Sequence, residues 1–324
     1  MDRVIPGQPV RVGLLLPTRE MAINGDYALG PLLDFARAAE RLGFDSLWAG
    51  DSLTARARLD PLIVLSAVAA VTERVTLGTA AFTAALRNPL IGANLITSLD
   101  HASGSRLVMG LGAGFPIPES ADEFAAVGVP FADRVRRLDE TARLWRAAWG
   151  PTPAAFDGTY WQVTGLDRLP PTATPGGPPL WLASSDTPAV LSRVARLYDG
   201  WLPFLPSADA YRKAWDQIAE LVQEQGRPAG SVTPALYATI GVGRAAKDEL
   251  DRYVRAYYRR SLQEMTAIQA YHHGAADECA DWLGGYLEAG ARHVVIRIGS
   301  LTPAAQLAEI AEMVLPTLRA SAAA

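Results

Sequence analysis

Reactive side chains are scarce where the short apolar runs of this chain give way to turns. Those ends offer Gly50-Asp51-Ser52, Thr83 and Gly112-Ala113-Gly114-Phe115, and later Ser184-Ser185-Asp186-Thr187, Pro203-Phe204, Val242-Gly243 and Gly299-Ser300. Metal-assisted hydrolysis needs several His, Asp or Glu ligands converging on one point, and the histidines are only His101, His272, His273 and His293, none at such an end. Nucleophilic catalysis needs a base beside the hydroxyl, yet Ser52, Ser184 and Ser185 have no neighbouring histidine. With neither a metal set nor an activated nucleophile, a bound organic cofactor is the natural carrier of reactivity. Type and spacing assign no catalytic side chain.

Several of these residues admit two readings. Ser184, Ser185 and Thr187 lie just before Pro188, where hydroxyls and free backbone N–H groups either cap a helix or hold a phosphate. Asp51 is a polar contact to a cofactor or a turn acid. The run Gly110 to Gly114 looks like a dinucleotide fingerprint but lacks the early acidic ribose partner, so its glycines make either a turn or a floor that a ligand can approach. Trp48, Phe115, Trp201 and Phe204 line a dry pocket or fill a core. His272 and His273, before Gly274, read as a loop that is either solvated or folded over a site, and His101 and His293 read as structural surface positions.

The elements that must position these residues alternate between short aliphatic runs and helical patterns. Strands are expected at residues 10–16, 45–49, 75–82, 107–111, 179–183, 200–204, 236–242 and 293–298. Helices are expected at 31–42, 60–72, 88–100, 131–149, 187 onward, 207–225, 246–271 and 277–289, with a closing one capped by Thr302-Pro303. Continuous apolar runs mark parallel strands covered on both faces. About eight strand–helix units predict an α/β fold of the (β/α)8 TIM-barrel type, one domain over residues 1–324, with chemistry at the carboxyl ends of the strands. Residues 150–178, rich in Pro, Gly and Thr, form a long excursion between the fourth and fifth units.

The composition excludes other classes. With 49% hydrophobic and 20% charged residues the chain can bury a large core. A formal charge of −4 gives no attraction to nucleic acid or anionic lipid, so a small molecule is the expected partner. The single cysteine, Cys279, forms no internal disulfide. Residues 1–8 and the apolar run after them lack the pattern of an export signal, and no stretch is long enough to span a bilayer, so a cytoplasmic location is expected.

Taken together, several segments are specific. Leu77-Gly78-Thr79-Ala80-Ala81, Arg87-Asn88-Pro89, Leu99-Asp100, Ser103-Gly104-Ser105-Arg106-Leu107, Gly110 to Gly114, Phe131-Ala132-Asp133-Arg134, Phe156-Asp157-Gly158, Pro178-Pro179-Leu180-Trp181 and Tyr198-Asp199-Gly200-Trp201 recur in one family. Over nearly its whole length the chain resembles the bacterial luciferase-like monooxygenases, TIM-barrel flavoproteins that use reduced FMN or the deazaflavin F420. The resemblance implies a flavin ring across the barrel mouth, resting on a non-proline cis peptide at Ala80-Ala81 and on Gly112, with Asp51 in contact. It implies a cofactor phosphate at Ser184, Ser185 and Thr187; the substrate pocket expected beside the cofactor uses Ser52, Phe115, Trp201, Phe204 and His272. It further implies an oxidoreductase, foremost a monooxygenase taking reduced FMN from a separate flavin reductase and using O2 on a small organic substrate. The alternatives are an F420-dependent reductase or dehydrogenase and a noncatalytic flavin-binding partner subunit. A homodimer is implied as well. The chain departs from the family at Ser52, where a histidine often follows the acid, at Phe115, where many F420 enzymes carry an acid, and at Ala113, where luciferase has an arginine for the FMN phosphate.

Overall fold

The computed structural model describes residues 9–153 and 155–321. The expectation of no export signal in residues 1–8 lies outside them. Eleven strands occur among the described residues: β1 (Arg11–Leu15), β2 (Ser46–Ala49), β3 (Thr76–Thr79), β4 (Leu107–Leu111), β5 (Ala155–Asp157), β6 (Gln162–Thr164), β7 (Leu180–Leu182), β8 (Gly200–Trp201), β9 (Thr233–Val242), β10 (Tyr271–Gly274) and β11 (His293–Ile298). Eight form a closed parallel ring in the order β1-β2-β3-β4-β7-β8-β9-β11, closed by β8 on β9 and by β11 on β1. These are the eight strands expected from the sequence, so the TIM barrel stands.

Three strands are additions. The excursion at 150–178 contains the antiparallel hairpin of β5 and β6. The third, β10, extends the wall beside the upper half of β9, in register from Tyr271 opposite Thr239 to Gly274 opposite Val242. Residues 246–271 are therefore not one helical region. The helix Ala246–Tyr258 ends where Arg259 turns left-handed at φ 55°, and a capping box of Ser261 and Glu264 starts a separate short helix, Leu262–Thr266. That break lets the chain drop back into the sheet as β10.

Helices start where side-chain caps satisfy free N–H groups. Asp60 accepts from Leu62 N at 2.9 Å to open Pro61–Ala69, and Asn88 accepts from Leu90 N at 2.9 Å to open Pro89–Ser103, each with proline at the first helical position. Among the described residues no helix is long and apolar enough to cross a membrane.

The barrel interior explains where the glycines fall. Trp48 on β2 and Trp181 on β7 meet with ring centroids 5.3 Å apart, and both stand edge-on to His293 of β11. Room for the two indoles comes from strand residues without side chains. A Cβ on Gly78 would lie 2.2 Å from Trp48, and one on Gly200 would lie 2.4 Å from Trp181. Trp48 Nε1 donates to Ser46 Oγ at 2.7 Å, and the same hydroxyl shares a hydrogen bond with His293 Nε2, also at 2.7 Å. His293 is a buried core residue, not the surface position its sequence context suggested.

Burial, helped by the positive charge of Arg11, pulls the His293 imidazole from 6.5 down to about 3. The unfolded chain takes up a proton at this position below pH 6.5 while the folded one does not. Stability present above pH 6.5 is therefore lost as pH falls toward 3, by about 4–5 kcal/mol when complete. In thermal melts from pH 7.5 to 4, His293→Gln is expected to flatten the fall in midpoint relative to the parent chain. Parallel curves would contradict this assignment.

Candidate active site

The carboxyl ends of the strands open into a cavity of about 520 Å³, a size that suits a cofactor together with a small substrate. Its wall has two unlike halves. One is backbone and small side chains: Ala80 and Ala81 after β3, Gly112 to Gly114 after β4, and Ala183, Ser184 and Ser185 after β7. The peptide Ala80-Ala81 is cis, as the resemblance implied. Gly112 faces it so closely that an added Cβ would sit 3.1 Å from Ala81 Cβ, with no other atom within 4 Å. The result is a floor without projecting side chains.

The other half is arginine and tyrosine. Arg19 follows β1, Arg56 and Arg58 belong to the turn after β2, and Tyr257, Tyr258 and Arg260 come from the end of the helix after β9. Two aromatic rings, Phe115 and Phe204, stand 6.2 Å apart at the rim and with Leu202, Met265 and Ile268 give the cavity an apolar side.

Most acids at the mouth are committed to structure. Asp51 borders the cavity, but its carboxylate takes Arg87 at 2.6 and 3.0 Å and the Thr83 N–H at 2.9 Å, and Arg87 continues to Asp60 at 2.8 Å. This network ties the β2 and β3 ends together. Glu123 reaches from the helix Pro118–Ala126 and one of its oxygens accepts from the N–H groups of Leu53, Thr54 and Ala55 at 2.5, 2.8 and 3.2 Å, and from Ser52 Oγ at 3.2 Å. Ser52 Oγ in turn accepts from Arg56 N at 2.9 Å. A single buried carboxylate thus folds the turn that presents Arg56 and Arg58. Behind the wall, burial pushes the Glu20 carboxyl up to about 7.

Several polar atoms of the lining are buried and without a hydrogen-bond partner: Nε and Nη1 of Arg58, Nε of Arg19, the Tyr237 hydroxyl and Oε1 of Gln269. Buried polar groups are almost always paired, so a cluster of orphans around one cavity points to a ligand that pairs them. Burial also holds the Tyr237 phenol well above its ordinary range, so it stays a hydrogen-bond donor, while Gln269 Oε1 is an acceptor.

The cavity collects Asp51, Ser52, Ala80, Ala81, Gly112, Phe115, Ser184, Ser185 and Phe204. It leaves out others. Trp201 is fully buried against Tyr211 at 5.1 Å, its Nε1 directed to Ser185 O at 3.3 Å, because alternation along β8 turns Trp201 to the helices and Leu202 inward. Trp48 lies within the barrel core. His272 stacks on Trp282 of the helix Ala276–Glu288 at 5.1 Å, since in β10 it is Tyr271 that points inward, to Arg297. Thr187 is the exposed N-cap of Pro188–Leu197, its side chain making no capping bond, and it lies off the cavity wall. The sequence reading missed Arg19, Arg56, Arg58, Glu123, Tyr237, Tyr257, Tyr258, Arg260 and Gln269. The Arg56-Ala57-Arg58 pair just past a strand end was the available signal.

A closed parallel barrel with a cofactor-sized cavity at its carboxyl ends, floored by glycine and alanine, has the architecture of a barrel enzyme that uses an organic cofactor. Residues 10–309 match the sequence profile of the luciferase-like monooxygenases. The chain belongs to that family of oxidoreductases. It is 30% identical over 336 aligned positions, 91% of this chain and 95% of the other, to an F420-dependent glucose-6-phosphate dehydrogenase of Beutenbergia cavernae. A protein of the same name from Kineococcus radiotolerans is 32% identical over 60% of this chain, and there the match spans only 57% of the relative's length. Solved structures of like fold include a monooxygenase of Streptomyces bottropensis, with a TM-score of 0.77 and 20% identity over 94% of this chain and 99% of that one. An F420-dependent secondary alcohol dehydrogenase, solved with an F420-acetone adduct, has a TM-score of 0.76 and 18% identity over 96% of this chain and 99% of the other.

Proposed function

We propose that this protein is an F420-dependent oxidoreductase that passes hydride between the deazaflavin and a small organic substrate held in the same cavity. The likeness to F420-dependent relatives, near full-length for the one from Beutenbergia cavernae, supports the choice of cofactor. The side-chain-free floor beside a wall of orphaned polar atoms supports the choice of site. F420, when bound, supplies a two-electron hydride carrier.

The residues present fit such a group. Ala80, Ala81 and Gly112 offer a surface that one face of a planar ring can rest on, and the Ser184 and Ser185 hydroxyls and amides offer donors to a phosphate. Phe115, Phe204 and Leu202 exclude water from the reacting face. The Tyr237 hydroxyl and Gln269 Oε1 are the free donor and acceptor that orient a substrate alcohol or carbonyl. No ion-paired acid is required for this work, which accords with Asp51 being engaged by Arg87.

Parallel fluorescence titrations with oxidised F420 and with FMN test the reading. F420 is expected to bind in the micromolar range and FMN at least tenfold more weakly. Tighter FMN binding, with oxygen uptake on addition of reduced FMN and a reductase, would favour instead the monooxygenase that the apolar rim could also serve.

A further inference from the structure

The arginine half of the cavity carries more positive charge than its own acids neutralise. The guanidinium carbons of Arg19, Arg56 and Arg58 lie 4.6, 5.5 and 5.9 Å from the centroid of one ring, Tyr257. Arg260 adds a fourth cation at the rim. Among the described residues no carboxylate is within ion-pair distance of any of the four. The two lining acids are occupied elsewhere, Asp51 by Arg87 and Glu123 by backbone N–H groups. Arg297, just behind, is bound by Tyr258 and Tyr271 hydroxyls and likewise has no acid.

Three of these arginines are held by neutral groups that fix them without cancelling their charge. Arg19 Nη1 donates to Tyr258 Oη at 2.7 Å, Arg56 Nε to Tyr257 O at 3.1 Å, and Arg58 Nη2 to Asp51 O at 2.6 Å. Arg58 packs so closely on the β2 end that a Cβ on Gly50 would lie 2.3 Å from its Nη1, and that nitrogen and Nε have no acceptor. Gathering three like charges around one ring, with only Glu20 behind the wall to offset Arg19 and Arg58, and leaving two buried donors unpaired is unfavourable for the protein alone, and an anion relieves it.

We infer that the cavity is built for a substrate bearing an oxyanion, a carboxylate or a phosphate ester, seated on Arg58, Arg56 and Arg19 around Tyr257. The group meets the forked donors of guanidinium, a geometry that suits either oxyanion. Its role as part of the substrate rests on the hydride-transfer reading; the anion site itself does not. Glu123 acts as a positioning residue, since it folds the turn that carries Arg56 and Arg58.

Calorimetric titration with inorganic phosphate and with benzoate, on the protein alone and after loading with F420, tests the inference. At least one oxyanion is expected to bind, and to bind equally well with F420 present. Arg58→Gln is expected to weaken it at least tenfold while F420 affinity stays within threefold, and Arg212→Gln on an outer helix is expected to change neither. Phosphate-only or benzoate-only binding supports the site and decides between the two groups. Should Arg58→Gln not fold, Arg56→Gln is expected to weaken the oxyanion at least threefold. Oxyanion binding that resists these variants, binding displaced by F420, or no binding by either probe overturns the inference. Oxyanion binding through Arg58 without any F420 binding would leave the anion site standing and remove the cofactor assignment.

Discussion

Gly112→Leu is expected to abolish F420 binding while leaving the barrel folded. The backbone of Gly112 forms the cavity floor opposite Ala81, and the only atom an added Cβ would meet is Ala81 Cβ at 3.1 Å. A leucine side chain therefore grows into the space where the ring is placed and not into a neighbouring helix. Displacing the ring from its contact face is expected to raise the dissociation constant more than a hundredfold, or about 2.7 kcal/mol. The thermal midpoint should shift little, because the one neighbour in the way, Ala81 Cβ, has to give by only a few tenths of an ångström. Fluorescence titration of the variant, paired with a melt, checks both halves, and an affinity within threefold of the parent would mean that the ring lies elsewhere.

Gly78→Ala is expected to do the opposite: damage the fold through the barrel interior. Its Cβ would lie 2.2, 2.3 and 2.7 Å from three carbons of the Trp48 indole. Trp48 has no way to yield. It is fully buried, bonded through Nε1 to Ser46 Oγ, and packed on Trp181 and His293. Overpacking of this kind costs about 3 kcal/mol, which lowers the melting midpoint of a chain this long by roughly 4–5 °C. Gly30→Ala, at a helical glycine with nothing within 4 Å of the added atom, serves as the control and is expected to be neutral or slightly stabilising. Equal midpoints for the two variants would refute the close-packed indole layer.

The ring of eight strands was legible because parallel strands covered on both faces leave uninterrupted apolar runs, as in residues 107–111 and 293–298, whose bounds coincide with β4 and β11. β10 was not legible. Its sequence, Tyr-His-His-Gly, has no aliphatic residue and follows a helix whose end is marked only by Arg259 in a left-handed turn and by the Ser261 capping box. Missing it sent His272 toward the mouth, when strand alternation turns that ring onto Trp282 and brings Tyr271 inward. Trp201 failed for the same reason, one residue out of phase with Leu202.

For the site, small residues were easier to place than charged ones. Gly112 and the hydroxyls of Ser184 and Ser185 follow directly from strand ends, because a strand end fixes backbone position, whereas Ala80 and Ala81, expected inside a strand running to residue 82, were singled out by the family resemblance alone. The arginines sit on turns after β1 and β2 whose shape depends on partners distant in sequence, notably Glu123, 68 to 71 positions from the groups it holds. Such a contact leaves no local pattern. His293 shows the same limit in the core, since its neighbours, Ser46, Trp48 and Trp181, come from strands far apart in the chain.

A crystal structure of the protein grown with F420 tests the central claim most directly. The deazaflavin ring is expected to lie in van der Waals contact with Ala80, Ala81 and Gly112, its phosphate beside Ser184 and Ser185, and the space bounded by Arg58 and Tyr257 open to a second molecule. A ring bound away from Gly112, or no F420 in the cavity at saturating concentration, would contradict the account.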